Sequence, residues 1–156
     1  MALIDPGKIR PLHLVEGKEL SLLMPIGGKS RPFLIAPWDN KVAVILLEGE
    51  GQFGFWPADE SDGDDKGLLI TDFNISVDLD SASEIPVGPK SGTLIRRGDT
   101  LAIVSRPFAD IHQAVFIPLL TGLPKSTANF GVAFRKWEIS IGEGDKKDPL
   151  FTFDVA

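Results

Sequence analysis

Hydrophobic residues recur at every second position over much of this chain. From Asp72 to Asp80, Phe73, Ile75, Val77 and Leu79 share one parity, and Asp72, Asn74, Ser76, Asp78 and Asp80 share the other. A period of two sends alternate side chains to opposite faces of an extended backbone, so this segment is predicted to be a half-buried antiparallel strand with one solvated face. The tail repeats the pattern, with Phe151, Phe153 and Val155 set against Thr152 and Asp154. Val132 and Phe134 share one parity, whereas Trp137, Ile139 and Ile141 share the other. The switch at Arg135–Lys136 predicts a β-bulge that re-aims the strand.

Val42 to Leu47 is a continuous apolar run, too short for a typical helix, and reads as a strand buried on both faces. Glu48 ends it, and Gly49-Glu50-Gly51 is a turn leading to a strand over Gln52–Trp56. Leu20–Met24, Pro32–Ala36, Leu101–Val104 and Ala114–Leu119 are further expected strands, the last interrupted by Pro118. A helical turn fits only Ala109–Phe116. The 156 residues include Gly 16 and Pro 12, a density of punctuation that leaves little room for long helices. The expected fold is a single all-β domain over 1–156, an antiparallel sandwich or jelly roll of about ten short strands.

Charge narrows the partners. The chain carries 16 − 22 = −6 overall. Between Asp59 and Asp80, eight acidic residues against Lys66 give 1 − 8 = −7, so the remainder sums to about +1. No broad basic surface is left to displace counterions from nucleic acid. Cysteine is absent, which removes disulfides and thiolate zinc sites. No signal-peptide pattern opens the chain and no apolar run approaches the roughly 20 residues of a membrane span, so a cytoplasmic location without membrane contact is expected.

The acidic stretch, a surface loop over 58–67, is the most conspicuous feature. Asp59, Asp62, Asp64 and Asp65 supply oxygens of the kind Ca²⁺ takes. EF-hand spacing fails: with Gly63 at loop position six, Ala58 falls at one and Leu69 at twelve, where carboxylates are required. A solvated loop without a cofactor is the better reading, with Ca²⁺ the minority one. Gly27-Gly28-Lys29-Ser30 lacks the first P-loop glycine, since Leu23 stands there, and Arg31-Pro32 opposes the helix that should follow. In Gly88-Pro89-Lys90-Ser91-Gly92 the serine falls one residue too late for a nucleophile elbow. Arg97-Gly98-Asp99 matches a cell-adhesion tripeptide and reads as a tight turn entering Thr100–Val104.

With only His13 and His112, no histidine-rich metal site can form within one chain. His13 reads as an ordinary strand residue. His112 follows Arg106 and Asp110, either of which could orient it. Trp38-Asp39-Asn40 and Phe55-Trp56-Pro57 fall at expected strand ends, where an aromatic platform beside polar groups can stack on a sugar; Trp137 is expected in the core.

Two stretches resemble the cupin superfamily. Leu46-Leu47-Glu48-Gly49-Glu50-Gly51-Gln52-Phe53 is similar to the strand–turn–strand after the first cupin motif. Arg97-Gly98-Asp99-Thr100-Leu101-Ala102-Ile103-Val104, then Pro107 and His112, is similar to the approach to the second. The resemblance implies a jelly-roll double-stranded β-helix. Where the family supplies its His-x-His ligands, this chain has Ala36, Pro37 and Trp38, so it does not imply the family's metal.

The functional expectation is a non-enzymatic binding or assembly module for a carbohydrate or small anionic metabolite, with Trp38, Asp39, Asn40, Arg97, Arg106 and His112 as ligand-binding residues. One alternative is a cupin-like lyase or isomerase in which His112 is the acid or base and an arginine clamps a carboxylate. Another is a structural homo-oligomer subunit packed through strand edges.

Overall fold

A computed structural model describes residues 9–13, 20–25, 31–38, 41–58, 66–110, 112–123, 131–142 and 148–155. They form fourteen strands, more than the ten expected. In chain order these are β1 (Ile9–His13), β2 (Ser21–Pro25), β3 (Phe33–Trp38), β4 (Lys41–Leu46), β5 (Gly54–Ala58), β6 (Lys66–Ile70) and β7 (Asn74–Val77). After them come β8 (Ala82–Glu84), β9 (Leu94–Arg97), β10 (Thr100–Pro107), β11 (Val115–Leu120), β12 (Val132–Phe134), β13 (Lys136–Ile141) and β14 (Asp148–Asp154). Among the described residues no helix is long and apolar enough to cross a membrane.

The strands build an all-β sandwich. The larger sheet runs β1-β6-β2-β3-β4-β5-β10-β9-β12-β8 with β11 beside β10, and the smaller runs β14-β13-β7. Pairing is antiparallel except where Arg106 and Pro107 of β10 lie parallel to Gly54 and Phe55 of β5, which makes the large sheet mixed. One apolar cluster joins Leu34 and Ile45 from one half of that sheet, Ile103 and Ile117 from the other, and Trp137 and Phe153 from the small sheet. The large sheet therefore folds back on itself, and the small sheet closes the same core.

The run Val42–Leu47 is buried on both faces as its composition requires. Ala43, Ile45 and Leu47 enter the shared core, while Val42 and Val44 join Leu23, Ile35 and Leu69 in a second cluster on the opposite face. The predicted strand over Asp72–Asp80 is shorter. Ile75 and Val77 pair with Ile139 and Trp137, but Leu79 is 76% exposed. Asp78 stops the strand: its Oδ1 accepts the Asp80 amide at 2.9 Å and opens a 3-10 turn over Leu79–Ser81. The helical turn expected at Ala109–Phe116 is instead an irregular turn running into β11, with Ile111 outside the described residues. Pro118 does not interrupt β11; the register slips beside it, between Leu101 and Ala102 of β10.

The parity switch at Arg135–Lys136 is a change of sheet rather than a bulge. β12 pairs with β8 and β9 in the large sheet, and β13, after Arg135 alone, pairs with β7 and β14 in the small one. Strands turn sandwich corners through a bend or a bulge, and the single residue Arg135 shifts the alternation by one so that Phe134 and Trp137 both enter the same core. The strand expected from Gln52 begins at Gly54, because Phe53 belongs to the turn with φ 65°. Such a conformation is strained for a bulky side chain and persists only where surroundings enforce it. Here the Phe53 amide donates to the Leu46 carbonyl at 2.7 Å, and the Ser105 hydroxyl donates to the Phe53 carbonyl at 2.5 Å. The ring meets Phe153 edge-on at 5.1 Å and lies against Gly92, where an added Cβ would stand 2.3 Å from it. Trp137 completes the seam by donating its Nε1–H to the Gly92 carbonyl at 2.8 Å.

Candidate functional site

The residues chosen by chemistry alone are dispersed. Trp38 ends β3 with its ring against the face or edge of Phe55 at 5.1 Å, partly buried on the main core. Asp39 and Asn40 lie outside the described residues, as do Asp59, Asp62, Asp64 and Asp65. Arg97 is exposed at the β9–β10 turn, opposite Thr100, with Gly98 at φ 57° as the tight turn requires. Its stem crosses Gly131, where a Cβ would sit 2.8 Å from the Arg97 Cγ. Arg106 lies six residues beyond Thr100 on β10, about 20 Å away at the rise of an extended strand. Its two guanidinium nitrogens donate to the Ser91 hydroxyl at 2.6 Å and the Pro89 carbonyl at 3.1 Å.

His112 is exposed in the turn after β10. Asp110 holds the backbone there rather than the imidazole, its Oδ1 accepting the His112 amide at 3.1 Å. Arg106 and His112 thus share one end of β10, and Arg97 occupies the other. No group of three or more histidine or acidic side chains among the described residues could hold a metal ion.

Trp56 belongs to an aromatic row. Phe33 meets it edge-on at 5.2 Å, and Phe108, 42% exposed, follows at 5.7 Å. The Phe108 ring rests on Gly51 and Gly54, where Cβ atoms would lie 2.9 and 2.8 Å from it. Phe33 and Trp56 pack on the second apolar cluster, so the row is part of the protein's own packing.

A concave surface occurs elsewhere, on the small sheet. Trp137, Ile139 and Phe153 face the core, so alternation turns Lys136, Glu138, Thr152 and Asp154 outward. Register sets them in two cross-strand rows. Ser76, Glu138 and Thr152 form one, since Glu138 pairs with both of the others. Asp78, Lys136 and Asp154 form the next: Lys136 pairs with Asp154, and the Asp78 amide donates to the Lys136 carbonyl at 2.9 Å. Together with Val77, Trp137 and Phe153 these residues line a groove of about 440 Å³, within the range of small-molecule sites.

Ser81 fixes one end of the groove. Buried beneath the 3-10 turn, its hydroxyl donates to the Asp78 carbonyl at 2.7 Å and accepts the Lys136 amide at 3.2 Å. Asp154 holds two cations at the rim, with Arg135 at 3.6 Å and Lys136 at 3.7 Å. The Ser76, Glu138 and Thr152 side chains form no hydrogen bond or ion pair with the described residues. Three acidic groups against Lys136 leave the lining at 1 − 3 = −2. The arrangement offers hydroxyls and carboxylates to a ligand and is electrostatically opposed to an anion. Sequence parity sets Ser76, Asp78, Thr152 and Asp154 on solvated faces of their own segments; nothing local to them shows that segments near 76, 138 and 152 lie side by side.

A family model described as "Uncharacterised protein y4lG" matches residues 11–156. A protein of Sinorhizobium fredii (strain NBRC 101917 / NGR234) with the description "Uncharacterized protein y4lG" is 25% identical over 152 residues, which cover 96% of this chain and 92% of that protein. No solved structure matches the chain.

Proposed function

The chain belongs to the family described as uncharacterised protein y4lG, and on that premise we propose that it is a non-enzymatic binding module for a hydroxyl-rich small molecule of the carbohydrate class. The observation that carries this reading is the row Ser76–Glu138–Thr152, whose hydrogen-bonding groups line a groove without partners among the described residues. Sugar hydroxyls both donate and accept, and the row supplies two groups that do both and one that accepts. The negative lining favours a neutral or cationic ligand over the small anionic metabolite otherwise expected. Two further parts of the proposal are a cytoplasmic site of action and a cupin-like jelly-roll ancestry for the Leu46–Phe53 turn and the Arg97–Val104 hairpin. The lyase or isomerase alternative has less support, because His112 stands exposed with Asp110 committed to its backbone.

The test is a titration of isotopically labelled protein with mono- and disaccharides, followed through its amide resonances. Shifts are expected at 76–78, 136–138 and 152–154. Replacing both Ser76 and Thr152 with alanine should weaken binding by about fivefold for each hydrogen bond lost, at about 1 kcal/mol apiece. An absence of shifts in the groove at millimolar sugar would refute the proposal.

A further inference from the structure

We infer that the groove selects a protonated amine, taking an amino sugar in preference to its neutral counterpart, and that Glu138 is the selecting group; this rests on the reading of the groove as a carbohydrate site. Glu138 is half-buried at the centre of its row, flanked by the neutral Ser76 and Thr152. No cation from the described residues pairs with it. Lys136, two positions away on the same face and so about 7 Å along the strand, lies 3.7 Å from Asp154 with Asp78 on its other side. Arg135 is turned to Asp154 as well, at 3.6 Å. Among the described residues, the charged groups around the pocket therefore leave the carboxylate at its centre without a counter-ion.

A carboxylate accepts hydrogen bonds and donates none. A neutral sugar can give it a hydroxyl. An ammonium group gives it a charge-assisted bond about twice as strong, in a partly buried position where screening is weaker than in bulk water. Hydroxyls on either side can hold the rest of the ring. The chemistry thus fits a polyol carrying one amine better than a simple amine or an unsubstituted sugar.

D-Glucosamine and D-glucose differ only in an amine replacing one hydroxyl, and they are the probes. Titrated below the pKa of the amine at low salt, D-glucosamine should bind about tenfold more tightly than D-glucose, and raised salt should bring the ratio toward one. Glu138→Gln keeps the side-chain shape and should abolish the preference, lowering D-glucosamine affinity more than D-glucose affinity so that the two converge. The variant's amide spectrum verifies its fold, and the salt series on the unaltered protein tests the same claim without any substitution. Equal affinities in the unaltered protein, both mapping to the groove, would overturn the selection while leaving the carbohydrate reading intact. A preference that survives in Glu138→Gln would overturn the role of Glu138. If neither sugar shifts the groove resonances, the underlying reading fails and the selection with it.

Discussion

Trp137 and Glu138 are consecutive residues of one strand with opposite surroundings. Trp137 is 2% exposed, gives its indole N–H to the Gly92 carbonyl and packs its ring against Phe153 at 4.5 Å. Glu138 faces the groove. The Trp137 indole N–H is committed to the protein, whereas the Glu138 carboxylate has no partner among the described residues. Arg106 belongs with Trp137 despite its chemistry, because its donors go to Ser91 and Pro89. A residue type able to bind a ligand says little until its existing partners are known. The contrast also separates stability from recognition: the seam should govern folding, and the outer row should govern binding.

Gly92→Ala should do the greatest damage. Its φ of 92° is a conformation L-residues rarely adopt, and the new methyl group would overlap the Phe53 ring. Overpacking and backbone strain together should cost about 3 kcal/mol or more, read from urea unfolding. An unchanged midpoint would show that Phe53 can move aside. Trp137→Phe keeps most of the ring but leaves the Gly92 carbonyl without its donor, which should cost about 2 kcal/mol in the same measurement.

Arg106→Ala sharpens the comparison further. Loss of two hydrogen bonds to the 89–91 turn should lower stability by about 1–2 kcal/mol and leave sugar affinity as it was. A marked loss of affinity without loss of stability would return Arg106 to the binding residues. Glu138→Gln should behave in the reverse manner, changing stability by less than about 0.5 kcal/mol while removing the preference for D-glucosamine. His112→Ala should alter neither the thermal midpoint nor binding, and a calorimetric scan with one sugar titration checks both.

Much of the fold was legible because burial imposes a period on the residues themselves. Phe151 and Phe153 are buried and Thr152 and Asp154 exposed, as their alternation requires. The two-sided burial of Val42–Leu47 followed from a run too short for a helix. Parity says which face a side chain takes, though not which sheet that face belongs to, so the crossing at Arg135 resembled a bulge. The strand ending at Asp78 was hidden for another reason: Leu79 keeps the alternation while the Asp78 side chain caps a turn. Phe53 gave no signal, since its left-handed backbone depends on contacts with Ser105, Phe153 and Gly92, all distant in sequence.

The groove was less legible than the fold. Its central row draws on residues 76, 138 and 152, whose alignment depends on the pairing of β7, β13 and β14. Each looks like an ordinary solvated strand position in its own segment. Arg97, Arg106 and His112 drew notice because their side chains carry recognisable chemistry. The chain distributes them along β10 and the turn beyond it, with Arg97 about a strand length from Arg106.

The most direct test of the account is a map of the amide resonances perturbed by D-glucosamine. The expected result is a set of shifts confined to 76–78, 136–138 and 152–154, saturating with one affinity and diminished in Glu138→Gln. Shifts centred instead on Arg97, Arg106 or His112, with the small sheet unmoved, would contradict it.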